Sequence, residues 1–276
     1  MQYKIVCDSS ADPGLFASQC NSVPLKIIAG EKEFIDDSSL TLSEMLTYLQ
    51  NYKGKSGSAC PNVVDFLEAF EGAQYIFCFA ITSNLSGSYN AAMIAKEEYE
   101  SNHPGYKVFV VDSLSAGPEI RLLMEKAQEG MASGAEFDNI CRQLEAYMAN
   151  TGLMFSLESL RNLANNGRVS PIVAKIAGVL GIRLVGRASA QGDLEPMDKC
   201  RGEQKALQKI FERMTEQGYC GGKVRIDHCS NPKAADALQA IIHNAFPHAD
   251  VQTGQCGGLC SFYAEQGGLL VGYEKI

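Results

Sequence analysis

Three times in its first half the chain runs through a short apolar stretch and then breaks into hydroxyls and carboxylates: "KIVCDSS" from residue 4, "YIFCFAITS" from residue 75 and "VFVVDSLS" from residue 108. Such runs have the length of strands and are apolar on both faces, as strands are when a sheet is covered on each side. A fourth run, residues 23–28, reads the same way. Helical spacing lies between them: Leu42, Met45, Leu46 and Leu49 share one stripe, and Val63, Phe66, Leu67 and Phe70 share another after the start signal Pro61-Asn62. Helices also fit residues 86–99, 118–133 and 137–149. This alternation predicts an α/β domain built on a mostly parallel sheet.

The second half changes character. Helical stretches are expected at 156–165 and 171–180, then two strands at 182–188 and 194–200 joined through "AQGD", a hairpin turn. A long amphipathic helix follows at 202–217, then a strand at 224–228, a helix at 234–245 and a last strand at 269–273. Helical periodicity stops at the polar, glycine-containing step 150–152, which divides the chain into an N-terminal α/β domain, 1–151, and a C-terminal α/β (α+β) domain with a mixed sheet, 152–276. A length of 276 residues suits two modest domains, and a cleft between them is a natural ligand site.

Charge and cysteine usage exclude several classes. A net charge of −8 argues against binding a phosphate backbone, which needs clustered Lys and Arg. No basic leader precedes an apolar run at the start, and no stretch of about eighteen apolar residues occurs, so a cytoplasmic protein is expected. Ten cysteines spread from Cys7 to Cys260 through strand and helix signals read as reduced thiols. Cys256 and Cys260 with His228 and Cys229 offer a zinc set on paper, but their spacing is not that of a zinc ribbon, and no metal is expected.

The hydroxyl cluster Thr82, Ser83, Ser86 and Ser88 needs a reason, because buried hydroxyls cost free energy without partners. In a parallel sheet the carboxyl ends of the strands share one edge, where ligands of open α/β sheets bind. Capping of the following helices suffices for Asp8 and Asp112. Ser86 differs: Gly87 behind it permits close approach, and a helix start offers unpaired N–H groups to an anion. Neither nucleotide-binding glycine pattern is present. A serine nucleophile at Ser86 is the competing reading, although "NLSGS" lacks the glycine spacing of a nucleophile elbow.

The ordered set "VCDSSADP", "SGSACPNVVDFLEAF", "ITSNLSGSYNAA", "VVDSLSAG", "SLESLRNLANNGRVS", "IRLVGRASAQGDLEPMDKCRG" and "GGLLVGYE" resembles the DegV family along the whole chain. That resemblance implies a two-domain protein that buries the tail of one long-chain fatty acid and holds its carboxyl group at the cleft. It implies no catalysis by the chain itself, and presentation of the carboxyl to a fatty acid kinase that makes the acyl phosphate. The family's head-group serines fall on Ser58 and Ser86, with Gly87 beside the latter, and its arginine on Arg168. A second family arginine falls on Arg201, read here as structural or as a partner contact. Where many members carry histidine, this chain has Tyr263, which can offer only a neutral hydrogen bond. Core packing for Tyr263, a salt bridge for Arg168 and a lipid or ester hydrolase built on Ser86 stay open. For the tail, "PIVAKIAGVLGI" is apolar nearly all round, as a domain core or a tunnel wall would be.

Overall fold

The computed structural model describes residues 2–170 and 181–275. Its centre in the first half is a parallel sheet ordered β2-β1-β6-β7, from β1 (Tyr3–Asp8), β2 (Asn21–Val23), β6 (Tyr75–Ala80) and β7 (Lys107–Asp112). Helices cover both faces, as the two-sided apolar runs require. On one face α2 (Val63–Phe70) and α3 (Ser88–Asn102) bury Phe66, Phe70 and Tyr99 with Val6, Ile76 and Cys78. On the other, α4 (Pro118–Ala132) and α5 (Phe137–Met148) close over Ile5, Cys7, Phe77 and Phe79. The start of α2 is set by Asn62, whose Oδ1 accepts from the Val64 and Asp65 amides at 2.8 and 3.2 Å. Asp65 reciprocates by accepting from the Asn62 amide at 2.8 Å.

The run expected as one strand at 23–28 is two. Pro24 has no amide to donate, so the ladder stops at Val23. The chain resumes as β3 (Lys26–Ala29) in a separate antiparallel sheet, β4-β3-β5, with β4 (Lys32–Ile35) and β5 (Ser56–Ala59). Helix α1 (Leu42–Asn51) packs on it through Met45. Neither β4 nor β5 is apolar enough to announce itself in the sequence.

The second half forms a mixed six-stranded sheet, β10-β9-β8-β13-β11-β12. Its strands are β8 (Thr151–Leu157), β9 (Ile182–Ala188), β10 (Leu194–Arg201), β11 (Val224–His228), β12 (Val251–Gln255) and β13 (Leu269–Glu274). The helix expected at 156–165 is corrected: β8 runs to Leu157, and only α6 (Arg161–Asn165) is helical. "TGLMFSL" is buried at every position and so carries no helical stripe and no strand alternation. The hairpin between β9 and β10 turns where expected, with the Gly192 amide donating to the Ser189 carbonyl at 3.0 Å and Gly192 at φ +83°. The helix expected at 171–180 lies outside the described residues.

One face of this sheet is covered by α7 (Glu203–Glu216) and α8 (Pro232–Ala245). Across the other face runs α4, the helix shared with the parallel sheet. Gly272 of β13 leaves no room for a side chain there: a Cβ would stand 2.5 Å from the Glu119 amide. A short helix, α9 (Gly258–Ala264), crosses back to the small sheet, burying Phe262 against Ile27, Phe34 and Met45.

Candidate functional site

The three polar strand ends do meet. Asp8, at the end of β1, accepts from the Ile81 amide at 2.9 Å, from Ser88 Oγ at 2.5 Å, and from both the amide and the hydroxyl of Ser10. It is fully buried, and burial raises its carboxyl above the ordinary range although these donors pull the other way. The Thr82 amide donates to the Ser115 carbonyl at 2.9 Å, and the Gly117 amide to the Ser10 carbonyl at 2.8 Å. Asp112 accepts from the Ser83 and Leu114 amides. These carboxylates therefore fasten one edge loop to the next, which is more than capping of the helix that follows each strand.

Above this edge lies a cavity of about 310 Å³ between the parallel sheet, the small sheet and the six-stranded sheet. Its wall is mostly apolar: Leu153, Phe155 and Leu157 from one face of β8, Leu270 from β13, Ile81 and Leu85 from the β6 loop, and Leu25, Leu163, Leu194 and Leu259. All five residues singled out in the sequence, Ser58, Ser86, Gly87, Arg168 and Tyr263, line it. They arrive on four different segments. Ser58 sits in β5 opposite Ile27. Ser86 and Gly87 precede α3, whose first turn begins at Ser88, two residues later than the periodicity indicates. Arg168 follows α6, and Tyr263 lies on α9.

The local bonds explain the placement. Ser86 Oγ accepts from the Ser88 amide at 3.3 Å, which leaves its own proton for another acceptor. Thr82 Oγ1 accepts from the Asn84 amide at 3.3 Å and Ser88 is taken by Asp8, so these hydroxyls serve the turn itself. Ser58 Oγ and Tyr263 Oη are 2.8 Å apart, a pair separated by 205 residues in the chain. A Cβ on Gly87 would stand 3.2 Å from Cys60 Sγ, so a larger residue would crowd this rim.

Arg168 is half-buried, and its guanidinium is held by main-chain carbonyls: Nε donates to Leu85 O at 3.0 Å and Nη1 to Asn166 O. No carboxylate pairs with it among the described residues, so the salt-bridge reading does not hold. It is the one charged side chain in the described wall. Asn166 in turn reaches Ser56 O at 3.2 Å, stitching α6 to β5. Arg201 is elsewhere, exposed at the end of β10 and outside the cavity wall. No group of three or more His, Cys, Asp or Glu able to hold a metal ion occurs among the described residues. Cys229, Cys256 and Cys260 are buried thiols whose pKa values burial raises.

Sequence reasoning did not single out Cys60, Phe155 or Leu194 for this wall. Phe155 lies in β8 just ahead of the stretch expected as a helix, in a run buried at every position that shows no period. Leu194 opens the strand expected at 194–200, but nothing local marks it or Cys60 for a cavity wall.

A family model described as "Uncharacterised protein, DegV family" matches residues 2–275. A DegV domain-containing protein from Streptococcus pneumoniae is 41% identical over 280 residues, covering 99% of each chain. Two solved structures superpose closely. A DegV family protein from Eubacterium eligens, loaded with heptadecanoic acid, has a TM-score of 0.96 at 42% identity, covering 99% of this chain and 100% of that one. The Streptococcus pneumoniae fatty acid kinase B3 protein, loaded with linoleic acid, has a TM-score of 0.97 at 41% identity over the full length of both chains.

Proposed function

This chain belongs to the DegV family, and we propose that it is a carrier that buries the acyl chain of one long-chain fatty acid and presents its carboxyl group to a kinase. The observation that carries the reading is an apolar cavity whose described wall holds one charged side chain, Arg168, together with the hydroxyls of Ser58, Ser86 and Tyr263. The two relatives loaded with fatty acids, similar over the full chain, support it. That one of them is a fatty acid kinase protein supports the kinase as partner.

In this reading Ser86 donates its free proton to one carboxylate oxygen, next to the positive end of α3. The Ser58 and Tyr263 pair offers one further donor, since one of its two protons is used between them. Arg168, half-buried and without a carboxylate partner among the described residues, compensates the ligand's charge. Gly87 keeps the approach open. Burying about a dozen methylenes at ~0.8 kcal/mol each supplies on the order of 10 kcal/mol gross before the costs of association. Affinity then comes from the tail, and orientation from the rim.

The chain supplies no catalysis in this proposal: the described wall contains no His, Asp, Glu or Lys that could act as a base toward Ser86, which weighs against a hydrolase. The carrier proposed here is cytoplasmic and built of two domains that meet near residue 151; no described helix is long and apolar enough to cross a membrane. Organic extraction of the purified protein followed by lipid mass spectrometry tests the proposal. A fatty acid at close to one per chain is expected. Finding none, with no uptake of added oleate or palmitate, overturns it.

A further inference from the structure

The floor of the cavity is a cross-strand row. Phe155 of β8 pairs in register with Gly186 of β9 on one side and with Leu270 of β13 on the other. Paired residues in neighbouring strands face the same way, so all three lie on the cavity side of the sheet. Phe155 is the only phenylalanine in the described wall. Its ring leans over Gly186: a Cβ at position 186 would stand 2.3 Å from Phe155 Cζ and 2.6 Å from Cε2. Gly186 is not among the residues with positive φ, so what β9 supplies there is space and not an unusual backbone. The missing side chain is the slot in which the ring rests.

We propose that this pair sets which acyl chains the cavity accepts, with Phe155 as the specificity-determining side chain and Gly186 as the residue that positions it. The inference rests on the carrier reading above. With the ring seated on β9, the lumen between Phe155 and the opposite wall stays open to the tail. Any side chain at 186 displaces the ring from β9, and since Leu270 holds its other flank, the ring moves into the lumen. The rim hydroxyls of Ser58 and Ser86 belong to other elements than this floor, so such a change alters the space for the tail and leaves the head-group contacts in place.

The test is the affinity of the delipidated full chain for a series of saturated fatty acids from decanoate to stearate. Gly186→Ala is expected to weaken decanoate binding least and to weaken the longest chains by roughly fourfold for each methylene that no longer fits. Phe155→Leu is expected to shift the optimum toward longer chains. The double variant, in which the smaller side chain leaves room for the new Cβ, returns toward the wild-type profile.

A Cβ at 186 would also stand 2.6 Å from the Glu195 carbonyl oxygen, so Gly186→Ala can fail to fold. Phe155→Leu then decides the matter alone. A Phe155→Leu protein with the wild-type length profile, or a folded Gly186→Ala protein that weakens all chains equally, overturns the assignment. A wild type that binds no fatty acid of any length overturns the carrier reading instead.

Discussion

Along α4 the buried charges are saturated with partners, whereas at the cavity rim the polar side chains keep part of their capacity unused. Arg121, 8% exposed, gives Asp227 two bonds of 2.9 and 3.1 Å and a third, of 2.9 Å, to the Asp12 carbonyl. Arg225 holds Glu125 through two bonds of 2.7 Å and Asp250 at 2.9 Å. Glu119 accepts from Ser115 and Thr151. At the rim, Ser86 has an acceptor role filled and a donor role open, and Arg168 is steadied by carbonyls that leave its charge uncompensated. The α4 seam ties the parallel sheet to the six-stranded sheet and the rim faces a cavity. The charged side chains of α4 thus have their partners within the fold, while the rim groups keep hydrogen-bonding capacity that a ligand could use.

Three measurements bear on that contrast. Breaking the seam should have the largest effect. Arg121→Met leaves Asp227 buried without its counter-charge and is expected to cost about 3–5 kcal/mol of stability in chemical denaturation. Asp227 already has a raised pKa from burial despite Arg121, so the variant forces it further toward the neutral form. Fatty-acid affinity of the folded fraction should not change, and a selective loss of affinity would dissolve the distinction between the two regions.

At the rim the effect should appear in binding and not in folding. Ser86→Ala is expected to weaken fatty-acid binding by about 1–3 kcal/mol, because a buried carboxylate oxygen loses a donor. Its stability should fall by no more than the ~1 kcal/mol of a lost contact at a helix start, read from the same denaturation curves. Unchanged affinity would remove Ser86 from the site. The smallest change belongs to Tyr263→Phe, which removes a neutral hydroxyl from Ser58 and should cost about 0.5–1.5 kcal/mol of affinity by calorimetry. A loss as large as that of Ser86→Ala would give Tyr263 a direct and leading contact with the head group.

Much of this was legible in the chain. The apolar runs of strand length gave the parallel sheet, and the recurrence of Asp and Ser at their ends gave its polar edge. Motif order along the chain pointed to Ser58, Ser86, Gly87, Arg168 and Tyr263, and all five line one cavity. Elements without a local period escaped: β8 is buried on both faces, β4 and β5 are short and partly polar, and Pro24 splits what reads as one strand.

The alternation of elements and the identity of the polar residues at their ends are local properties of the chain, because periodicity and capping involve near neighbours. Which of those residues meet is a property of the folded arrangement. Arg168 holds the Leu85 carbonyl across 83 positions, Ser58 meets Tyr263 across 205, and Phe155 finds its slot over Gly186 on the next strand. Such contacts depend on strand order and on where a missing Cβ leaves room, and neither is written in any short stretch of the chain.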